Sequence, residues 1–131
     1  MSNNVILNYQ GHTATLSLNR PNNHNAFDSG LILDLLNAVT EVANSRARCL
    51  VLTGSGSTFS AGADLNWMRA MANASEQENY TDALALAECL RTLNNLTIPT
   101  IARISSSAYG AGVGLLSCCD IAISVDTAKF T

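Results

Sequence analysis

Alternation governs the first twenty residues. Val5, Leu7 and Tyr9 alternate with other side chains, "QGH" reads as a turn, and Ala14, Leu16 and Leu18 alternate again. A period of two puts every second side chain on one face, so the pattern predicts a β-hairpin. "LNRPNNHNAF" (Leu18 to Phe27) breaks the rhythm with proline and asparagines. Beyond it Leu31, Ile32, Leu35, Leu36, Val39 and Val42 recur at helical spacing, which predicts a helix capped by Asp28 or Ser29 and ending near Asn44. "CLVLTG" (Cys49 to Gly54) is a short apolar run closed by glycine, read as a strand buried on both faces. A strand following a helix implies a βα crossover.

"SGSTFSAGADLNWMRAMANAS" reads as loop up to about Gly62 and then as a short helix starting near Asp64. A longer helix is expected between Ser75 and Asn95, with Leu86, Leu90 and Leu93 inward, and Pro99 stops it. "TIARIS" (Thr100 to Ser105) predicts another strand, "SSAYGAGVGLLSCCD" a turn and a helix, and "IAIS" (Ile121 to Ser124) a last strand. Phe130 opens a further strand with no partner after it. With no linker or repeat in view, residues 1–131 are expected to form one α/β domain of layered sheet and helices.

Composition narrows the classes. With 47% hydrophobic and 13% charged residues, the chain carries enough apolar material for a packed core, which excludes a disordered segment. Its net charge is -3, and six scattered arginines with the single lysine Lys129 make no basic stripe, so nucleic acid is not expected as a partner. No apolar stretch is long enough to cross a bilayer and the N-terminus shows no leader pattern, so the expectation is a cytoplasmic protein without a membrane partner. Cys49, Cys89, Cys118 and Cys119 form no CxxC spacing and read as small buried hydrophobes, with no metal expected.

Three glycines on alternate positions, Gly110, Gly112 and Gly114, ask what needs bare backbone there. The order is GxGxG, late in the chain, where a dinucleotide fold needs GxGxxG after a first strand. Neither a phosphate-loop GK[ST] nor a GxSxG elbow occurs, and His12, in a turn, and His24 leave little material for a triad. A strand running into a glycine turn at a helix start leaves backbone N–H groups uncommitted. "FSAGAD" (Phe59 to Asp64) repeats that design. Spacing alone leaves two readings open: glycines that permit tight packing, or two N–H groups converging on a carbonyl oxygen that turns anionic, where losing one donor costs on the order of 3 kcal/mol of barrier. Glu76, Glu78 and Glu88 read as a solvated helix face, Asp120 as a turn cap, and Trp67 and Met68 as packing.

"LNRPNNHNAF", "FSAGADL" (Phe59 to Leu65), "PTIARISSSAYGAGVGL" (Pro99 to Leu115) and "CDIAIS" (Cys119 to Ser124) together resemble the enoyl-CoA hydratase/isomerase family, the crotonases. The resemblance implies the crotonase (ClpP-like) spiral of ββα units, here its N-terminal portion without the C-terminal helical region. It also implies an acyl-CoA substrate, with coenzyme A part of that substrate and no separate cofactor, and a homotrimer or hexamer. By position, the catalytic thioester-binding donors would be the N–H groups of Ala63 and Ala111. Ala111 stands where the family usually has glycine, which requires that its backbone avoid positive φ. Ala61, Asp64 and Leu65, with His24, Ala26 and Tyr109, would contact the substrate; His24 also reads as an ordinary exposed loop residue. Arg20, Arg69 and Lys129 are the cations available to its phosphates. Where classical hydratases carry a first glutamate this chain has Gly114, and the second would fall beyond Thr131. "GADLNWMR" with "GVGL" and "CCDIAI" is similar to the bacterial hydratases of methylglutaconyl-CoA and isohexenylglutaconyl-CoA. The implied activity is hydration of a branched enoyl-CoA; isomerase or thioesterase chemistry, or a non-catalytic acyl-CoA-binding or assembly role, are the alternatives.

Overall fold

The alternating segments form the predicted hairpin in a computed structural model that describes residues 3–131: β1 (Val5–Gln10) pairs antiparallel with β2 (Thr13–Leu18) across a turn at Gly11. After β2 a single 3-10 turn at Pro21–Asn23 leads to helix α1 (Ser29–Ala43), whose first turn is capped by Asp28 through a 2.8 Å bond from the Leu31 N–H. The apolar stripe read from the sequence lands inside: Leu31, Ile32, Leu35, Val39 and Val42 are all buried. Each such side chain contributes about 1.5 to 3 kcal/mol on leaving water. The burial of this one face fixes α1 against the sheet.

Strand β3 (Cys49–Gly54) then lies parallel to β2, as the crossover predicts, and β4 (Thr100–Ile104) and β5 (Ile121–Ser124) continue the sheet in parallel, giving the order β1-β2-β3-β4-β5. Register aligns the buried face in rows: Ala14 beside Leu50 and Thr100, and Leu16 beside Leu52 and Ala102. Between β3 and β4 run α2 (Leu65–Ala72) and α3 (Glu76–Asn94), and between β4 and β5 runs α4 (Ala111–Ser117). Helix α3 starts at Ser75 with a reciprocal capping box to Glu78 and packs on α1.

On β3 one face is covered, with Leu50 and Leu52 buried, and on the other Thr53 is buried while Cys49 and Val51 are half-buried, so the expected burial on both faces is partial on the second. Phe130, expected to open a strand with no partner after it, makes a single parallel bridge to Ala108 upstream of it, Ala108 in turn bridges Ser60, and Phe27 bridges Ala63. These short bridges make a second layer, and the candidate site is built on it. The edge strand β5 is exposed throughout, with Ile121 and Ile123 50% and 59% accessible.

Candidate functional site

The loop that follows β2 is pinned from inside by Asn25. It is fully buried with φ +55°, a left-handed conformation that asparagine tolerates better than most residues. Its Oδ1 accepts the Arg20 N–H at 2.7 Å, and its Nδ2 donates to the carbonyls of Ser55 and Thr58, both at 2.8 Å. The loop after β2 is thereby clamped to the loop after β3. Gly54 at the end of β3 leaves the room: a Cβ there would meet the Phe59 carbonyl oxygen at 2.7 Å and Asn25 Nδ2 at 3.0 Å.

From Phe59 the chain passes between two neighbours. On one side Phe27 bridges Ala63, its N–H donating to the Gly62 carbonyl at 2.7 Å and its carbonyl accepting the Asp64 N–H at 2.8 Å. In parallel pairing the groups of Gly62 and Asp64 face Phe27, so the N–H of Ala63 between them faces away. On the other side the Phe59 N–H donates to the Ser107 carbonyl and the Tyr109 N–H to the Ser60 carbonyl, each at 2.9 Å. The two glycine loops therefore touch. Gly62 has φ +85°, and a Cβ on it would lie 2.8 Å from the Tyr109 carbonyl oxygen and 3.5 Å from the Ala111 nitrogen. Ala111 is the first residue of α4, where an N–H has no intrahelical partner. Among the described residues, neither the Ala63 nor the Ala111 N–H donates to any protein acceptor. Ala111 is also free of positive φ, the condition its methyl imposes.

One cation, Arg20, serves two carboxylates beside the site. Asp64 caps α2, its Oδ1 accepting from the N–H groups of Asn66 (2.8 Å) and Trp67 (3.1 Å), while Oδ2 lies 3.5 Å from the Arg20 guanidinium. The Trp67 N–H above all, then that of Asn66 and the Arg20 charge, hold its carboxyl below the usual range against the opposing effect of burial. Arg20 also pairs with Asp28 at 3.1 Å and donates to the Ala26 carbonyl at 2.6 Å. It therefore ties the start of α1 to that of α2. Arg69 is exposed and donates to Asn66 Oδ1 at 3.2 Å, and Lys129 is exposed.

The structure gathers most of the predicted site. His24, Ala26, Ala61, Ala63, Asp64 and Leu65 line one cleft of about 420 Å³, flanked by Asn23 and Asn66. Tyr109 and Ala111 stand on the neighbouring loop and do not line it. His24 is exposed in a left-handed conformation, and its Nδ1 lies 2.9 Å from Thr58 Oγ1. Asp64, expected to contact substrate, has its carboxylate committed to the helix cap and Arg20, so in this cleft it shapes the wall. Met68, expected to pack inward, is 52% exposed, whereas Trp67 is half-buried against the core. Asp120 behaves as the turn residue expected, its Oδ2 accepting the Thr100 N–H at 2.9 Å. The sequence reading missed Asn25 and Ser60. A short polar residue inside "NNHN" was the available signal for the first; nothing in the spacing pointed to the second.

A family model for enoyl-CoA hydratase/isomerase matches residues 8–131. The chain belongs to the enoyl-CoA hydratase/isomerase family. It is 35% identical to a crotonyl-CoA hydratase of Syntrophomonas wolfei, with 97% of this chain covering 48% of that one. It is 33% identical to 4-chlorobenzoyl coenzyme A dehalogenase-2 of an Arthrobacter species, 96% of this chain covering 46% of it. Among solved structures, an enoyl-CoA hydratase from Shewanella pealeana superposes with a TM-score of 0.94 at 35% identity over 97% of this chain and 48% of its own. The fold is thus the crotonase α/β fold, and the chain spans about half the length of the curated relatives it matches. Gly114, on α4, lies where a Cβ would meet nothing within 4 Å. No helix of the described residues is long and apolar enough to cross a membrane.

Proposed function

We propose that this chain supplies the thioester-binding half of an enoyl-CoA hydratase. The observation that carries the reading is the pair of uncommitted N–H groups, Ala63 and Ala111, on two loops held in contact through Gly62 and Tyr109. A thioester carbonyl between them gains two hydrogen bonds that strengthen as its oxygen becomes enolate-like, so the site favours the transition state over the ground state. The cleft lined by His24, Ala26, Ala61 and Leu65 takes the coenzyme A portion of the substrate.

Hydration also needs one group to take a proton from water and one to deliver a proton to Cα, and backbone N–H groups do neither. Gly114 offers no side chain, so the proton-transfer carboxylate comes from outside these residues. The similarity of "GADLNWMR", "GVGL" and "CCDIAI" to the glutaconyl-CoA hydratases supports a branched, glutaconyl-type acyl group. The working form is a cytoplasmic trimer or hexamer. A second reading, other acyl-CoA chemistry on the same two donors, is favoured by the likeness to the dehalogenase.

Ala111→Pro tests the core of this. Proline is tolerated at the first residue of a helix, so the substitution removes the N–H with little other change. Binding of butanoyl-CoA and of free CoA is compared by calorimetry. The variant is expected to keep CoA binding and to lose the preference for the thioester; an unchanged preference would sink the assignment.

A further inference from the structure

Ser60 is fully buried and bonds three neighbouring backbone segments. Its Oγ donates to the Asn25 carbonyl at 2.9 Å and accepts the Gly62 N–H at 3.2 Å. Its own carbonyl accepts the Tyr109 N–H at 2.9 Å. Its side chain also faces Gly112: a Cβ on that glycine would come within 2.8 Å of Ser60 Cβ. Ser60 thus joins the loop after β2 to the Ala61–Gly62 peptide through its hydroxyl, holds the Tyr109 N–H through its carbonyl, and meets the first turn of α4, which begins at Ala111, through its Cβ.

We propose that Ser60 is a positioning residue of the two-donor site: its hydroxyl fixes the Ala61–Gly62 peptide, one peptide before the one that carries the Ala63 N–H, and together with the Phe27 N–H on the Gly62 carbonyl (2.7 Å) it sets the direction of the Ala63 N–H relative to that of Ala111. The Gly62 N–H has no other acceptor among the described residues, so without Oγ that peptide loses the only bond its N–H makes. Gly62 has φ +85° and no side chain, so when the bond is lost the Ala61–Gly62 peptide can turn about it and the next peptide is held from the Phe27 side alone. The neighbouring Gly112 contact is kept by any residue with a Cβ, which separates the hydroxyl's role from packing. This inference rests on the thioester-binding reading of Ala63 and Ala111.

The test follows the carbonyl itself. Butanoyl-CoA carrying ¹³C at the thioester carbon is bound to the wild-type chain, to Ser60→Ala and to Ser60→Cys, and its carbonyl resonance is compared with that of the free ligand. Free CoA affinity is measured alongside. Wild type is expected to move the resonance downfield. Ser60→Ala is expected to keep CoA affinity, lose most of the downfield shift and weaken the thioester preference by about tenfold, the scale of one net hydrogen bond. Ser60→Cys, which retains the packing and a weaker donor and acceptor, should fall between the two and stands in if the alanine variant does not fold. A full shift in the alanine variant, or in the cysteine variant should only that one fold, overturns the positioning role while leaving the two donors intact. No shift in wild type overturns the thioester reading beneath it.

Discussion

Adding one methyl at Gly62 should separate the two loops. Its φ of +85° lies where an L side chain is strained, at about 1 to 2 kcal/mol. The new Cβ would also stand 2.8 Å from the Tyr109 carbonyl oxygen, a backbone atom that cannot rotate away. Forcing such a contact apart costs about 1 to 3 kcal/mol. Gly62→Ala is therefore expected to destabilise the fold by about 2 to 5 kcal/mol. Gly114→Ala is the matched control, because a Cβ there meets nothing within 4 Å and helix α4 gains propensity, so it should be neutral or stabilising by up to about 1 kcal/mol. Urea unfolding followed by the single tryptophan, Trp67, reads both. With a slope of about 1 to 3 kcal/mol per molar, the Gly62 midpoint should fall by about 1 M or more while that of Gly114 holds or rises. Equal midpoints for wild type and Gly62→Ala, or equal losses in the two variants, would refute the close approach of the loops.

Asn25→Ala leaves the Arg20 N–H and the Ser55 and Thr58 carbonyls without their partner and puts alanine at φ +55°; a loss of about 3 kcal/mol or more in the same unfolding assay is expected. Asp64 is held below its ordinary range in the fold, so its stabilising contribution is present above about pH 4 and disappears as pH falls through the depressed value; Asp64→Asn should flatten the acid limb of a stability profile, and an unchanged limb would rule the carboxylate out. Burial pushes the Cys89 thiol up to about 12, so the unfolded chain ionises first and stability should fall as pH rises from about 8.5 towards 12. Cys89→Ala should remove part of that alkaline slope, with Cys119, whose thiol burial raises to about 11, and Cys118, also raised by burial, contributing to what remains.

The main layer was legible because its signals are local. Alternation placed Ala14, Leu16 and Leu18 on the buried face, and helical spacing placed Leu31, Ile32, Leu35, Val39 and Val42 inward, since burial in each case depends on an element's own period. The second layer was not, because its pieces are single bridges such as Ser60 to Ala108 and Ala108 to Phe130, too short to have a period. The site lay between these extremes. Glycines at positions 62 and 110 announced backbone that approaches something, and the resemblance named the two donors. The residues that aim those donors, Asn25 and Ser60, announce nothing: their importance lies in partners some 30 residues or more away in the chain.

That division bears on how the chain works. The donors sit on backbone fixed by buried bonds, whereas most carboxylates near the site are already occupied: Asp28 and Asp64 cap helices and pair with Arg20, and Asp120 holds Thr100. Glu78 closes a capping box and Glu88 pairs with Arg91, both on the exposed side of α3. A base must reach a water molecule in a plausible substrate pose, and a carboxylate locked into a cap would have to release a helix terminus to do so. Under the proposed function, binding and polarising the thioester fall to these residues, and proton transfer to a group outside them. On this reading the two functions are separable, and a chain with Ala63 and Ala111 correctly aimed should shift a bound thioester carbonyl without hydrating an enoyl-CoA.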